Sequence, residues 1–117
     1  MIKELGALMS LMNNKGKIQE ELAKFQQYVG QLTAEGTAGA GMVTVKANGK
    51  MEIQSIRISE EAWKLQDKEM LEDLIAGATN QVLAKIREQL AAKSGEMAGN
   101  MGLPAGMLGG LGLPGMG

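Results

Sequence analysis

The chain has 117 residues and contains no cysteine and no histidine. Without cysteine there are no disulfides, no thiolate metal sites and no thiol nucleophiles. Without histidine the chain also lacks the usual general base near neutral pH and the commonest metal ligand. The reactive groups that remain are carboxylates, lysines, hydroxyls and one tyrosine, so the composition argues against an enzyme, a metal site or a bound cofactor.

Aromatic residues are scarce as well, since Phe25, Tyr28 and Trp63 are the only three. Aromatic side chains normally bring a large share of the buried area of a core. A chain of this length has room for one domain, and it buries a smaller share of its surface than larger proteins do. The sequence therefore predicts one compact core that is completed by a second subunit, with Trp63 as a packing anchor.

No apolar run is long enough for a membrane span or a signal peptide, and Glu4 places an acid among the first residues. These features predict a cytoplasmic protein with no membrane partner. The net charge of −1 gives no overall attraction to nucleic acid. Any binding to DNA must therefore come from how the charges are distributed, or be inferred from a resemblance.

A heptad pattern predicts one long helix over residues 1–35. One seam position is filled every seven residues by Leu11, Ile18, Phe25 and Leu32, and the other by Leu8, Leu22 and Val29. The seam is interrupted at Lys15, beside Asn13, Asn14 and Gly16, which predicts a kink or a separate short helix there. Three glycines between residues 36 and 41 are expected to end the helix.

Alternating residues from Val43 to Ala47, followed by Asn48-Gly49, predict a β-hairpin with a two-residue type I′ turn. The return strand alternates Met51 and Ile53 and then changes phase, with Ile56 and Ile58 in the new register. One extra residue near Gln54-Ser55 would explain that change as a bulge, so that both strands bury one face. The other face is expected to be solvated and to carry Lys46, Lys50, Glu52 and Arg57. Residues 33–38 are a weaker candidate for a third strand.

Ser59 and Asp67 are suited to cap two helices, a short one through Trp63 and a long one after it. The long helix is predicted to bury a stripe formed by Leu71, Leu74, Ile75, Ala78, Val82, Ile86 and Leu90. Acids between Asp67 and Asp73 stabilise the start of a helix, which explains them without a metal or an acid-base pair. After Lys93 the composition changes to Gly, Met, Leu and Pro, so we expect a domain over 1–94 and a flexible tail over 95–117.

Two segments resemble the YbaB/EbfC family of nucleoid-associated proteins. The first runs from Gly36 through the segment 39–45 to Asn48-Gly49, and the second comprises residues 67–75 and 78–80. The order of the predicted elements is also similar across the whole chain. This resemblance implies an α+β fold with a long N-terminal helix, a small antiparallel sheet of two or three strands and a long C-terminal helix. It further implies a cytoplasmic, nucleoid-associated homodimer that has projecting helical arms, binds double-stranded DNA and acts in nucleoid organisation or gene regulation.

Local charge suggests which residues contact DNA, because cations near the duplex neutralise phosphates. The predicted DNA-binding residues are Lys15, Lys17 and Lys24 on the first helix and Lys85, Arg87 and Lys93 on the second. There is no helix-turn-helix or zinc-finger pattern, so low sequence specificity is expected.

Two other functional classes remain. In the first, the dimer is a protein-interaction module without physiological DNA binding, which the overall negative charge and the apolar tail would favour. In the second, which has least support, an enzyme uses a carboxylate pair such as Glu69 with Asp73. The sequence predicts neither a catalytic residue nor a small-molecule substrate.

Overall fold

The structure is a computed structural model that describes Leu5 and residues 15–102. Its elements in chain order are α1 (Lys15–Gln31), β1 (Thr33–Ala38), β2 (Val43–Asn48), β3 (Ile53–Ile58), α2 (Glu60–Lys64) and α3 (Lys68–Asn100). The predicted α+β class, with helices flanking a small antiparallel sheet, is confirmed. The seam residues Leu8 and Leu11 and the interruption at residues 13–14 lie outside the described residues.

Helix α1 has the predicted apolar seam, since Phe25, Val29 and Leu32 are buried. The helix ends at Gln31, however, and residues 33–38 form strand β1. The expectation of a helix up to residue 35 was therefore wrong, and that of a third strand is confirmed. The chain changes direction at Leu32, whose carbonyl oxygen accepts a hydrogen bond from the Gly49 amide at 2.9 Å. Pairing with β2 then satisfies the backbone groups that a longer helix would have used.

The three strands form an antiparallel sheet in the order β1-β2-β3. Lys46 lies opposite Ser55 whereas Ala47 lies opposite Ile53, so Gln54 is an extra residue on β3. This irregularity is the predicted bulge. Beyond it the side chains of β3 change phase relative to β2, which brings Ile53, Ile56 and Ile58 to the same face of the sheet.

The turn between β2 and β3 differs from the predicted type I′ turn. Neither Asn48 nor Gly49 has a positive φ, and Met51 adopts the left-handed conformation instead, at φ 64°. The Asn48 side-chain oxygen accepts hydrogen bonds from the amides of Lys50 at 2.9 Å and Glu52 at 3.1 Å. Gly49 is needed for close approach, because a Cβ there would overlap the carbonyl oxygen of Val29 at the end of α1.

Helix α3 packs across β1 and β2 with the predicted stripe. Ala78, Val82, Ile86 and Leu90 are fully buried, and on the sheet they meet Val43, Val45 and Ala47 of β2. At β1 the helix comes close enough that a Cβ on Gly36 would lie 2.7 Å from the Val82 amide nitrogen and overlap the Ala78 carbonyl oxygen. Only glycine allows this approach.

Strand β3 is left uncovered on the same side of the sheet. Ile56 is 48% exposed and Ile53 is 40% exposed, although their partners Val45 and Ala47 are fully buried. The expectation that both hairpin strands bury one face was therefore wrong for β3. A helix with its side chains is about 10 Å wide and strands are about 4.8 Å apart, so a single helix covers two strands and not three.

The corner between the sheet and α3 is built by two capping side chains, as predicted. The Ser59 hydroxyl accepts a hydrogen bond from the Ala62 amide at 3.1 Å, and the Asp67 carboxylate accepts one from the Met70 amide at 3.0 Å. Within α2 only Ala62 is buried. Trp63 is 63% exposed, so its expected role as a packing anchor was wrong. The short helix turns this side chain away from the core because Ala62 occupies the inward position.

Helix α3 is 33 residues long, or about 50 Å, whereas each strand spans about 20 Å. Its C-terminal half extends past the sheet and packs against α1. The helix ends at Asn100 and does not end near residue 94, because Met97 and Ala98 are buried and offset the cost of Gly95 and Gly99. Residues 103–117 of the predicted tail lie outside the described residues.

Candidate nucleic-acid interface

The cations predicted to bind DNA lie on α1 and α3. We call the part where these helices pack beyond the sheet, residues 15–31 and 87–100, the arm. Between its helices is a surface cavity of about 140 Å³. The cavity is lined by Glu21, Lys24, Phe25, Lys93, Glu96, Met97 and Asn100. The fold therefore brings Lys24 and Lys93 together, from positions far apart in the sequence.

Lys24 forms two ion pairs within α1. Its ammonium lies 3.3 Å from the Glu20 carboxylate and 3.5 Å from that of Glu21. The hydrogen bond and the charge of Glu20, followed by the charge of Glu21, raise the pKa of Lys24 above its ordinary value. Glu21 is itself buried, and its carboxylate accepts a hydrogen bond from the side-chain Nδ2 of Asn100 at 3.4 Å, which links α1 to the end of α3. Lys24 is thus a cation whose charge is largely balanced locally.

Lys93 has two partners on the arm. Its ammonium lies 3.5 Å from the Glu96 carboxylate and 5.2 Å from the centre of the Tyr28 ring. The second contact is a cation-π interaction that joins α3 to α1. The side chain is 34% exposed, so it is accessible from one side only.

Lys85 lies apart from the arm, at the edge of the sheet. Its ammonium donates a hydrogen bond to the carbonyl oxygen of Glu35 at 2.9 Å. An ammonium has three donors, so this bond leaves two for other acceptors. Lys85 therefore contacts the sheet, which no local pattern predicts because the two residues are 50 positions apart.

Lys17 on α1 and Arg87 on α3 are both exposed. Within the described part of the chain, neither of them forms an ion pair. Lys15 is the first residue of α1, and its side chain lies outside the described part. The structure thus separates the cations that already contact an acceptor, Lys24, Lys85 and Lys93, from Lys17 and Arg87, which form no ion pair with the described residues.

Sequence reasoning predicted one feature of the sheet surface and missed another. Lys46 and Arg57 are exposed on the face opposite α3, as predicted for a solvated face. Ile53 and Ile56 of β3, in contrast, remain exposed on the other face. Their alternation with polar residues is typical of a buried strand, so nothing in the sequence distinguishes a covered strand from an uncovered one.

The residues from Glu60 to Asp73 form an acidic corner. Six acids and two lysines give it a net charge of −4. Glu69 and Asp73 lie one turn apart in α3, but no group of three or more potential metal ligands occurs among the residues that the structure describes. No helix in the described part is both long and apolar enough to cross a membrane.

Comparison with known proteins gives a consistent result. The model of the YbaB/EbfC DNA-binding family matches residues 5–101. A nucleoid-associated protein of Bacillus thuringiensis is 41% identical over 103 residues, which cover 88% of this chain and 94% of that protein. A nucleoid-associated protein of Pelotomaculum thermopropionicum is 38% identical over 99 residues, which cover 85% of this chain and 94% of the relative.

A similar fold is found in the crystal structure of an uncharacterized protein from Helicobacter pylori. The TM-score is 0.63 at 22% identity, and the match covers 74% of this chain and 91% of that one. At this identity the likeness concerns the fold alone. Because the family model spans the arm, the sheet and the acidic corner, the chain belongs to the YbaB/EbfC DNA-binding family.

Proposed function

We propose that this protein binds double-stranded DNA as a homodimer, mostly through phosphate contacts and with low sequence specificity. In this proposal it is a cytoplasmic, nucleoid-associated protein without enzymatic activity that contributes to nucleoid organisation or gene regulation. Family membership supports DNA as the ligand, and the names of the relatives support the nucleoid. The observation that carries the mechanism is the unequal distribution of charge.

The overall charge of −1 is the sum of a negative corner and a positive remainder. The acidic corner has a net charge of −4, so all other residues together carry +3. Duplex binding depends on cations that displace counterions from phosphates. Because six of the thirteen acids lie in this corner, the remaining residues have a net positive charge that is compatible with a polyanion. Exposed charges more than about 10 Å away are largely screened.

We assign the phosphate contacts to the six predicted cations, with unequal contributions. Lys17 and Arg87 are exposed, and their binding to a phosphate breaks no ion pair of the described residues. Lys24 and Lys93 must exchange a carboxylate for a phosphate, which costs little at the Lys24–Glu20 and Lys93–Glu96 pairs because water screens their partly exposed charges. Lys85 contributes the two ammonium donors that do not bind Glu35. Lys15 lies two residues before Lys17, at the start of α1.

The homodimer is supported by an uncovered apolar surface. We define the β3 surface as Ile53 and Ile56, next to the buried core residues of β2. Two further exposed apolar side chains follow β3 in the chain, Trp63 at 63% and Leu65 at 56% exposure. Exposed apolar groups of this size concentrated in one segment are typical of interaction sites. A second copy that covers them supplies the burial that one 117-residue chain lacks.

A salt titration tests the electrostatic mechanism. In fluorescence polarisation with a labelled duplex, log K should fall linearly with log salt concentration, by about 0.9 for each phosphate neutralised. The double variant Lys17→Gln/Arg87→Gln should lose affinity and have a shallower slope. The matched control Lys64→Gln/Lys68→Gln removes two cations from the acidic corner and should leave both values nearly unchanged.

Several outcomes would contradict the proposal. They are affinity that persists at high salt, strong preference among unrelated duplexes, and an equal loss in the control variant. Light scattering must in addition give twice the chain mass of 12.4 kDa. If the dimer does not bind duplex DNA even in dilute buffer, the other candidate function is favoured. That candidate is a protein-interaction module that uses the acidic corner and the exposed Trp63.

A further inference from the structure

Two polar contacts join the helices of the arm at matching positions. Glu21 of α1 accepts the hydrogen bond from Asn100 of α3, and the ring of Tyr28 lies 5.2 Å from the ammonium of Lys93. Glu21 and Tyr28 are seven residues apart, and so are Lys93 and Asn100. Seven residues of a helix rise about 10.5 Å, so both contacts fit one antiparallel register. The packing of the arm therefore fixes Tyr28 opposite Lys93.

The ring of Tyr28 is held firmly at this place. Its side chain is half-buried and packs against the hydrophobic core, and its neighbours Phe25 and Val29 on the same helix are buried. The face of an aromatic ring attracts a cation through the electron distribution of the ring and carries no net charge. Tyr28 thus gives the ammonium of Lys93 a fixed and neutral partner.

The other partner of Lys93 is of a different kind. The carboxylate of Glu96 lies 3.5 Å from the ammonium, but this side chain is 60% exposed. Such an ion pair is weak because water screens the two charges and both side chains must be ordered to form it. A phosphate can therefore replace the carboxylate from the solvent side, while the ring keeps its contact with the ammonium.

We propose that Tyr28 is a positioning residue for DNA binding, and that its ring holds the ammonium of Lys93 at the arm cavity for a phosphate. The inference rests on the DNA contact that the proposed function assigns to Lys93. A lysine side chain loses rotational freedom when it is fixed on a ligand. Because the ring already orders Lys93 in the free protein, this loss is smaller there. Among the described cations, Lys93 is the one that an aromatic ring orders in this way.

A double-mutant cycle in the full chain tests this role by fluorescence polarisation with a labelled duplex at several salt concentrations. Tyr28→Leu removes the ring and keeps an apolar side chain for the core, whereas Tyr28→Phe keeps the face of the ring. Each variant is measured alone and combined with Lys93→Gln. The matched control background is Lys17→Gln, which removes an exposed cation of the same helix, eleven residues away from the ring.

We expect Tyr28→Leu to weaken duplex binding by about 2- to 12-fold for each arm that contacts the duplex, which corresponds to the ordering of one long side chain. The slope of log K against log salt concentration should stay unchanged, because Lys93 still neutralises its phosphate. Tyr28→Phe should bind as the wild type does. Tyr28→Leu should have no further effect in the Lys93→Gln background and its full effect in the Lys17→Gln background.

A measurement on the wild type avoids any effect of the substitutions on folding. In NMR spectra the ring of Tyr28 should shift the signals of the side-chain protons next to the Lys93 ammonium upfield. This shift should persist when the duplex is added. Its disappearance in the complex would mean that the phosphate draws the ammonium away from the ring, which would overturn the inference.

The cycle has outcomes that contradict the role of Tyr28. If Tyr28→Leu weakens binding equally in the Lys93→Gln background, the ring only stabilises the fold of the arm and the inference is wrong. It is also wrong if Tyr28→Phe loses as much affinity as Tyr28→Leu, or if neither variant loses any. A wild-type chain that does not bind the duplex would instead refute the proposed function itself.

Discussion

Strands β1 and β3 flank the same central strand and pair with it in the same antiparallel way, yet only β1 is covered. The difference lies in the size of the side chains that face α3. On β1 they are Ala34, Gly36 and Ala38, and on β3 they are Ile53, Ile56 and Ile58. Small side chains let the helix backbone approach β1 closely, as the contact at Gly36 shows. With α3 seated on β1 and β2, its width leaves β3 uncovered.

This asymmetry has a functional consequence. The helix that lies over β1 also supplies Lys85, which binds the Glu35 carbonyl oxygen of that strand, and its C-terminal half continues into the arm. In the proposed function, the strand that α3 leaves uncovered offers the surface for a second copy. The proposed DNA contacts and the proposed self-association then lie on different parts of the molecule.

The largest expected effect comes from removing the close approach at β1. We expect Gly36→Ala to lower the free energy of unfolding by about 3 kcal/mol, the upper range for overpacking, because the new methyl group meets backbone atoms of α3 that cannot move independently. For a domain of this size each kcal/mol lowers Tm by roughly 4–8 °C. Thermal and urea denaturation measure the loss.

The matched control for that substitution is Gly95→Ala in the exterior of α3. A Cβ at Gly95 meets nothing within 4 Å. Since alanine is favoured over glycine inside a helix by about 1 kcal/mol, the control should be stabilised. If both variants behaved alike, the contact between β1 and α3 would not be the reason for glycine at position 36.

The second effect concerns β3 and should leave folding intact. Ile56→Glu places a charge where the proposed partner packs, and we expect the dimer to weaken by about 2–3 kcal/mol, or roughly 30- to 150-fold in Kd. The monomer should tolerate the change because this side chain is already 48% exposed. Sedimentation equilibrium provides the dissociation constant.

Thr33→Glu on β1 is the control, since it introduces the same charge at an exposed position of the other edge strand. It should retain the wild-type Kd. An unchanged Kd for Ile56→Glu would remove the β3 surface from the dimer and would leave the difference between the two strands without a functional meaning.

The smallest effect is expected at the corner where β3 ends. Ser59→Ala deletes the hydroxyl that accepts the Ala62 amide at 3.1 Å, and loss of such a cap costs about 1 kcal/mol. The nearby Ser55→Ala removes an exposed hydroxyl without a cap and should cost less. Chemical denaturation resolves the difference, and equal costs would mean that Ser59 does not hold the corner.

Much of the fold could be predicted because local physical chemistry dictates it. The caps at Ser59 and Asp67, the bulge at Gln54 and the buried stripe of α3 all follow from residue type and spacing. The turn at Asn48-Gly49 could not, because Gly49 is held against the end of α1, a contact from a distant part of the sequence. Trp63 was misjudged for a related reason, since its size suggests burial but the direction of α2 points it outward.

The candidate interface was predictable only as a set of positions. Net charge and helical pattern place Lys17, Lys24, Arg87 and Lys93 on helices, and the carboxylates beside Lys24 and Lys93 lie three or four residues away on the same helix. The fold adds that Lys24 and Lys93 line one cavity of the arm and that Lys85 binds a carbonyl group 50 residues away. Whether a given lysine contacts DNA stays a prediction for the salt titration.

The sequence by itself determined the class of fold, the order of its elements and the exclusion of cysteine and histidine chemistry, because these depend on composition and on periods of two to seven residues. Only the tertiary structure decided which strands α3 covers and which backbone group Lys85 binds. The reason is that Gly36 admits the backbone of α3 against β1, and this contact between distant segments exists only once the chain has folded.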